Sequence, residues 1–111
     1  VTSVLGGRSL LNASAYGAAH GAVHNLVRMA GHELASEGIT VNAISLGWMD
    51  WMDDRIEASE DGQRALRFPM LRRAGRADEV GGTAVWLAAE HASSFITGQI
   101  IPVEGGLLQH Q

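Results

Sequence analysis

The chain has 111 residues, a formal net charge of −4 and no cysteine. This length accommodates one domain with a hydrophobic core, and the lack of cysteine excludes disulfides and thiolate metal sites. The net charge argues against nucleic-acid binding, which needs clustered basic residues. Because no apolar run reaches about 18 residues and no leader-like segment is recognisable, we expect a cytoplasmic protein without a membrane span.

The first predicted elements alternate between strand and helix. Residues 1–5 form the end of an apolar strand, and a helix is predicted over 14–37, with Ser14 as its N-cap and Gly38 at its C-cap. Apolar side chains recur about every 3.6 residues along this helix, at Ala22, Leu26, Met29, Ala30 and Leu34. The β-branched run 39–44 is typical of a buried parallel strand.

The second half begins with a segment of different character. Residues 46–76, rich in acidic residues and arginine, predict a mobile loop with one or two short helices. A second amphipathic helix is predicted over 78–90, with Asp78 and Glu79 in the first turn, where the helix dipole favours negative charge. We expect its inward side chains to be Val80, Ala84, Val85, Leu87 and Ala88. A last strand is predicted over 99–103.

The order strand, helix, strand, loop, helix, strand indicates an α/β fold with about three parallel strands and two main helices. A helix between two such strands is typical of a doubly wound sheet, whose interior strands are paired on both sides. The first strand would leave an unpaired outer edge. The chain is therefore expected to form part of something larger.

The most informative motif is Tyr16, which follows a run of small residues, with Ser3 13 positions before it and His20 four positions after it. Together with Val41-Asn42-Ala43-Ile44, the run 73–80, the run 94–100 and Glu104-Gly105-Gly106, this motif resembles the C-terminal half of the short-chain dehydrogenase/reductase family. It is similar to the 3-oxoacyl-carrier-protein reductase and glucose dehydrogenase type. The resemblance implies a single partial Rossmann-like domain over 1–111, whose N-terminal nucleotide-binding half is absent.

The resemblance also implies an oxidoreductase that moves a hydride between NAD or NADP and a small-molecule alcohol or ketone. Ser3 would bind the substrate oxygen, and Tyr16 would act as the general acid in reduction or the base in oxidation. The alkoxide left by hydride transfer needs a proton, which a positioned phenol supplies. A free tyrosine has a pKa of about 10, so its phenolate must be stabilised for it to act as a base near neutrality.

His20 stands where the family has a lysine that stabilises this phenolate and holds the nicotinamide ribose. Four residues along a helix place it on the same face as Tyr16. An ordinary histidine is mostly neutral at pH 7, so we expect weaker activation of Tyr16, shifted towards acid. The alternative is that His20 has no catalytic role. The chain contains no lysine elsewhere that could take the place of the family's lysine.

Further cofactor contacts are implied at Gly47, Trp48 and Met49, where the family's backbone meets the nicotinamide carboxamide. Leu46 replaces the family's proline, and Trp51 replaces a threonine that helps to hold the cofactor. The glycine-rich turn that binds the pyrophosphate is absent, because neither the pair at 6–7 nor the pair at 81–82 has its spacing. NAD and NADP therefore stay equally open.

Several alternatives accompany this interpretation. His20 and His24 have the spacing of two zinc ligands, but no third ligand is obvious, so we expect no metal site. The cluster of Trp48, Met49, Trp51 and Met52 would be a docking patch or, as the resemblance favours, part of a substrate lid over 46–76. A truncated or degenerate family member, acting as a non-catalytic structural or pairing subunit, is the main functional alternative.

Small residues in the first helix allow close helix–helix approach; they are Ala18, Ala19, Gly21, Ala22, Ala30 and Gly31. In the resembled family this helix packs against its symmetry mate. A homodimer or homotetramer is therefore expected, and completion of the chain by an N-terminal half or a partner chain stays open.

Overall fold

A computed structural model describes residues 1–52 and 58–109. Within them lie three strands, β1 (Thr2–Ser3), β2 (Ala43–Leu46) and β3 (Ile100–Val103), and four helices, α1 (Ser14–Glu33), α2 (Glu60–Ala65), α3 (Ala77–Ala88) and α4 (Glu90–Ser93). Short 3-10 turns occupy Val4–Gly6, Ala35–Glu37 and Leu107–Gln109. None of the helices in these two stretches has the length and apolar character that a membrane span needs.

The strands form one parallel sheet in the order β1-β2-β3. Thr2 pairs with Ser45, and Ala43 pairs with Ile100, so β2 lies in the centre with a neighbour on each side. All four residues of β2 are buried, as a central parallel strand requires. The α/β fold predicted from the sequence, with about three parallel strands, is confirmed.

The boundaries of β2 differ from the prediction, which placed this strand over 39–44. Val41 donates its backbone N–H to Thr97 Oγ1 at 3.1 Å, and Asn42 Nδ2 donates to the carbonyl of Ile96 at 2.8 Å. The backbone of this stretch is therefore bonded to the turn that precedes β3, and the β2–β3 ladder begins only at Ala43. The strand then continues to Leu46, two residues beyond the predicted end.

The ends of the first strand and helix also needed correction. Ser3 Oγ accepts the backbone N–H of Leu5 at 3.2 Å and starts a 3-10 turn, so β1 stops before residue 5. Ser14 is already helical; the N-cap is Ala13, which makes no side-chain cap bond. The predicted end of the helix at 37 is also wrong: α1 ends at Glu33 with Leu34 as its C-cap. Gly38, the predicted C-cap, has φ 73° and instead closes the 3-10 turn that follows α1.

Some of the small residues of α1 are used within the chain. A Cβ added to Gly31 would lie 2.8 Å from the backbone nitrogen of Gly98, and one added to Gly21 would lie 3.4 Å from the carbonyl oxygen of Gly6. These glycines let α1 approach two loops of its own chain. Other small residues of the helix, Ala18, Ala19 and Ala22, are exposed.

The main core lies between β2 and α3. Ile44, Leu46 and Met49 are buried there, and Val80 and Leu87 of α3 pack against them together with Val103 of β3. The other predicted inward positions of α3 are wrong: Ala84 and Ala88 are exposed, and Val85 is 72% exposed. Val80 and Leu87 lie two turns apart, so only a narrow stripe of α3 faces the sheet.

The C-terminal end of the predicted lid is tied to α3 by charged groups. Arg73 binds both carboxylate oxygens of Glu79, at 2.6 and 2.8 Å, and the backbone N–H of Arg76 donates to the same carboxylate at 2.9 Å. These hydrogen bonds, with that of Arg73 the largest, lower the pKa of Glu79 to about 2. Part of the lid prediction, residues 53–57, lies outside the described residues.

Candidate active site

A cavity of about 380 Å³ lies where β1 and β2 end. Ser3, the last residue of β1, and Gly47, which follows β2, both line it, and Tyr16 and Trp48 complete the set of predicted site residues on its wall. Ligands of open α/β sheets bind outside the carboxyl ends of the strands. Residues that are far apart in sequence are thus brought together at the edge where a ligand is expected.

Ser3 is 7% exposed, and its backbone belongs to the sheet. Its Oγ accepts the N–H of Leu5, so the hydroxyl has a fixed acceptor role in the turn that follows β1. A hydroxyl accepts with its lone pairs and still carries a proton to donate. Ser3 is therefore able to donate its O–H to an oxygen in the cavity.

Tyr16 and His20 are in contact on α1. Their ring centroids are 4.3 Å apart with an interplanar angle of 50°, as expected for side chains one helical turn apart. Tyr16 is 49% exposed and lines the cavity, whereas His20 is not part of the cavity wall. His20 is therefore connected to the cavity through its contact with the Tyr16 ring.

Thr2 is a neighbour of His20 that the sequence analysis did not single out. Its Oγ1 lies 2.9 Å from Nδ1 of His20, across 18 positions of sequence. Thr2 is 3% exposed, and β1 packs against α1 at this point. The spacing of the two residues gives no local signal for this contact, which exists only because the sheet and the helix pack together.

Met49 lies beside the cavity rather than on its wall. It forms a parallel bridge with Gly75, in which Gly75 donates to the carbonyl of Trp48 at 2.9 Å and Asp50 donates to the carbonyl of Gly75 at 2.9 Å. In such a bridge the N–H of Met49 itself points away from Gly75. Within residues 1–52 and 58–109 this N–H has no hydrogen-bond partner.

The remaining wall of the cavity is mainly apolar. It includes Leu5, Leu10, Trp48, Met52, Phe68 and Leu107. The charged groups on it are engaged: Arg8 donates to the carbonyl of Leu107 at 2.6 Å, and Arg64 lies 3.6 Å from the carboxylate of Asp61. Trp51 is 47% exposed and is not among the lining residues.

A second histidine lies behind this wall. His24 is 7% exposed, its Cε1 would lie 2.6 Å from a Cβ on Gly6, and its Nε2 has no hydrogen-bond partner in the described part of the chain. Burial lowers the pKa of His24, and the positive charge of Arg28 and a smaller effect of His20 act in the same direction; the backbone of Ser3 opposes them. The surroundings of His24 therefore disfavour its cationic form.

We expect the folded state to lose stability as the pH falls below about 6.5, the ordinary pKa of histidine. Below that pH the unfolded chain binds a proton at His24 that the folded chain resists. The contribution of neutral His24 to the free energy of unfolding is therefore complete above that pH, and it is lost as the pH falls through the lowered pKa. Urea unfolding between neutral and mildly acidic pH measures this. His24→Gln should lose less free energy of unfolding over the same pH range. If the free energy of unfolding fell equally steeply with pH in both proteins, the assignment to His24 would be contradicted.

Metal ligands do not converge anywhere in 1–52 and 58–109, where no group of three or more His, Asp or Glu side chains could hold an ion. His20 and His24, whose spacing would suit two zinc ligands, lie on the same helix. However, Nδ1 of His20 faces Thr2, and His24 is buried. His32 and His91 are exposed.

Comparison with known proteins identifies relatives of the whole chain. The family model described as enoyl-(acyl carrier protein) reductase matches residues 1–108. The 3-oxoacyl-[acyl-carrier-protein] reductase MabA of Mycobacterium avium is 36% identical over 112 aligned positions, which cover 96% of this chain and 42% of the relative. The chain thus spans less than half the length of this curated relative.

Solved structures agree with the sequence comparison. A short-chain type dehydrogenase/reductase from Mycobacterium ulcerans superposes with a TM-score of 0.86 at 31% identity, covering 99% of this chain and 40% of that one. The NADP active-site complex of RhlG from Pseudomonas aeruginosa superposes with a TM-score of 0.85 at 33% identity, covering 96% of this chain and 44% of that one. Both likenesses extend over nearly the whole of the chain.

Proposed function

The chain belongs to the short-chain dehydrogenase/reductase family, and we propose that it carries the catalytic half of an NAD- or NADP-dependent oxidoreductase. The reaction is hydride transfer between the nicotinamide and an alcohol or ketone. One observation carries this proposal: Ser3 and Tyr16 line one cavity, and the Tyr16 ring packs against His20.

In the reduction direction Ser3 binds the substrate and Tyr16 supplies the proton. The Ser3 hydroxyl, whose Oγ already accepts the Leu5 N–H, donates its proton in a hydrogen bond to the substrate carbonyl oxygen. As that oxygen gains negative charge, the Tyr16 phenol transfers its proton to it. In oxidation the Tyr16 oxygen takes the proton back from the alcohol.

His20 supports Tyr16 in this scheme. Its ring lies against the phenol, where a donated N–H or a positive charge stabilises developing phenolate charge. The imidazole is weaker in this role than the family's lysine when it is neutral.

The backbone beside the cavity suits a nicotinamide. Met49 has an N–H without a partner among the described residues, and this donor would hold the carboxamide oxygen of a nicotinamide. Gly47 and Trp48 would bind beside the nicotinamide, and Tyr16 and His20 would hold its ribose. A bound nicotinamide would supply or accept the hydride. Trp51 lacks the hydroxyl of the family's threonine, so pyrophosphate binding depends on other residues.

The apolar wall favours a substrate with an apolar body next to its carbonyl or hydroxyl group. Leu10, Met52 and Phe68 offer contacts to such a body, and burying it displaces water from the reacting oxygen. In this proposal residues 46–76 act as the substrate lid, held at one end by Arg73 and Glu79.

Apolar side chains on the outside favour assembly with further protein. Leu26 and Met29 on α1 are 64% and 50% exposed, and Phe95 after α4 is fully exposed. These apolar side chains are not buried by the rest of the chain, and exposed apolar surface of this kind is typical of protein–protein contacts. We infer a homodimer or homotetramer, in which the nucleotide-binding segment completes the sheet beside β1.

Replacing His20 by lysine tests the proposal against a non-catalytic role. A lysine is cationic at pH 7 and stabilises the Tyr16 phenolate more strongly, so His20→Lys should raise the rate of carbonyl reduction near pH 7 by about tenfold, the effect of about 1.4 kcal/mol on a barrier. Consumption of reduced nicotinamide by the natural-length protein, with an apolar ketone as substrate, measures this.

The matched control is His20→Gln, which is neutral at every pH and should reduce the rate. Nicotinamide fluorescence on binding verifies that each variant still holds the cofactor. Three proteins that bind the cofactor with the same negligible turnover would favour a structural or pairing subunit.

A further inference from the structure

Thr2 and His20 form a hydrogen-bonded pair that the family resemblance does not assign. The Oγ1–Nδ1 distance is 2.9 Å, and Thr2 lies in β1, directly before Ser3. The pair joins the sheet to α1 at the helical turn that also carries Tyr16. It is therefore placed to control how the His20 ring is oriented behind the tyrosine.

The protons of this pair can be counted. A threonine hydroxyl has one proton and can also accept, while a neutral imidazole has one N–H and one bare nitrogen. In the stretches the structure describes, Nδ1 of His20 is the single hydrogen-bond partner of the Thr2 hydroxyl, which is buried. If Nδ1 carried the proton, the Thr2 O–H would be left without an acceptor among the described residues, which is costly for a buried hydroxyl.

We propose that Thr2 is a positioning residue: its O–H donates to Nδ1 of His20 and fixes the neutral ring in the tautomer that carries its proton on Nε2. When the imidazole is cationic, the same hydroxyl accepts from Nδ1–H instead. The ring therefore keeps its place and offers an Nε2–H donor in both protonation states.

This arrangement accounts for how a histidine serves where a lysine is expected. The family's lysine acts as a hydrogen-bond donor that faces developing negative charge. In His20 the Nδ1 atom is turned towards Thr2, so the imidazole can act as such a donor only through a proton on Nε2. The ring contacts Tyr16 on one side, and His24 is a titratable group one helical turn further along α1. The tautomer is independent of the proposed function, whereas its catalytic consequence rests on that function.

Nitrogen-15 NMR of the histidine side chains tests the tautomer directly. In the natural-length protein labelled with ¹⁵N-histidine, the His20 signals, identified by their loss in His20→Gln, should show protonated Nε2 and bare Nδ1 at neutral pH. Thr2→Val, which keeps the side-chain shape without the hydroxyl, should give a mixture of tautomers, and Thr2→Ser should restore the wild-type pattern.

A protonated Nδ1 in the wild-type protein would overturn the proposal, as would a Thr2→Val spectrum identical to that of the wild type. If Thr2→Val does not fold, the wild-type and Thr2→Ser spectra decide, since both must show the Nε2–H form.

Activity gives a second measure. Thr2→Val should lower the rate of carbonyl reduction by about tenfold, the smaller end of what the loss of a histidine's orienting partner costs, and Thr2→Ser should recover it. Proteins that show the expected spectra but no turnover would support the positioning role and count against the proposed function. A full rate in Thr2→Val would remove any catalytic consequence of the pair.

Discussion

Tyr16→Phe is expected to lower the rate of carbonyl reduction by about 10²–10⁴-fold, the usual contribution of a positioned general acid. The substitution removes the phenol oxygen and keeps the ring that packs against His20 and lines the cavity. The loss should therefore appear in kcat, with cofactor affinity retained. Steady-state kinetics and a fluorescence titration with reduced nicotinamide measure both quantities.

A matched control is Trp86→Phe, which also changes an exposed aromatic side chain but lies on α3, off the cavity wall. Its kcat should stay close to that of the wild type. If Tyr16→Phe retained the full rate, the proton would have another source, and the assignment of Tyr16 would be wrong.

Gly31→Ala is expected to destabilise the folded state by up to about 2 kcal/mol. The new Cβ would lie 2.8 Å from the backbone nitrogen and 2.9 Å from the Cα of Gly98, so α1 must move away from the turn before β3. Overpacking of this kind costs about 1–3 kcal/mol, and the higher helix propensity of alanine returns about 1 kcal/mol. Urea unfolding of the natural-length protein measures the difference.

Gly82→Ala supplies a control of the opposite sign. Gly82 lies in α3 with nothing within 4 Å of an added Cβ, so alanine should stabilise the protein by up to about 1 kcal/mol. If both substitutions stabilised the protein, the close approach of α1 to Gly98 would be disproved.

The order of elements was readable from the sequence because it depends on local patterns. The β-branched run 39–44 and the apolar periodicity of α1 and α3 reflect the hydrogen-bonding geometry of single segments. The exact start of β2 was not readable, since it is set by bonds from Thr97 and Asn42 across more than 50 positions. The exposed side of α3 was missed for a similar reason: the pattern marks an apolar helix but not which residues the sheet covers.

The site was predicted in part. The contact between Tyr16 and His20 follows from their spacing on a helix, and the joint position of Ser3 and Tyr16 on one cavity agrees with the motif. Thr2 was missed because a threonine in a strand is unremarkable until the helix that packs on it is known. The burial of His24 had a usable signal, a histidine on the glycine-rich side of α1 close to the loop at Gly6.

Transfer of deuterium is the measurement that tests the central claim most directly. The natural-length protein would be given an apolar ketone and nicotinamide cofactor, NADH or NADPH, carrying deuterium at the transferable position, and the product would be analysed by mass spectrometry. Ser3 and Tyr16 on one cavity predict an alcohol with deuterium on its carbinol carbon, formed by the wild type and strongly reduced in Tyr16→Phe. Cofactor binding without deuterium in any product would contradict the account.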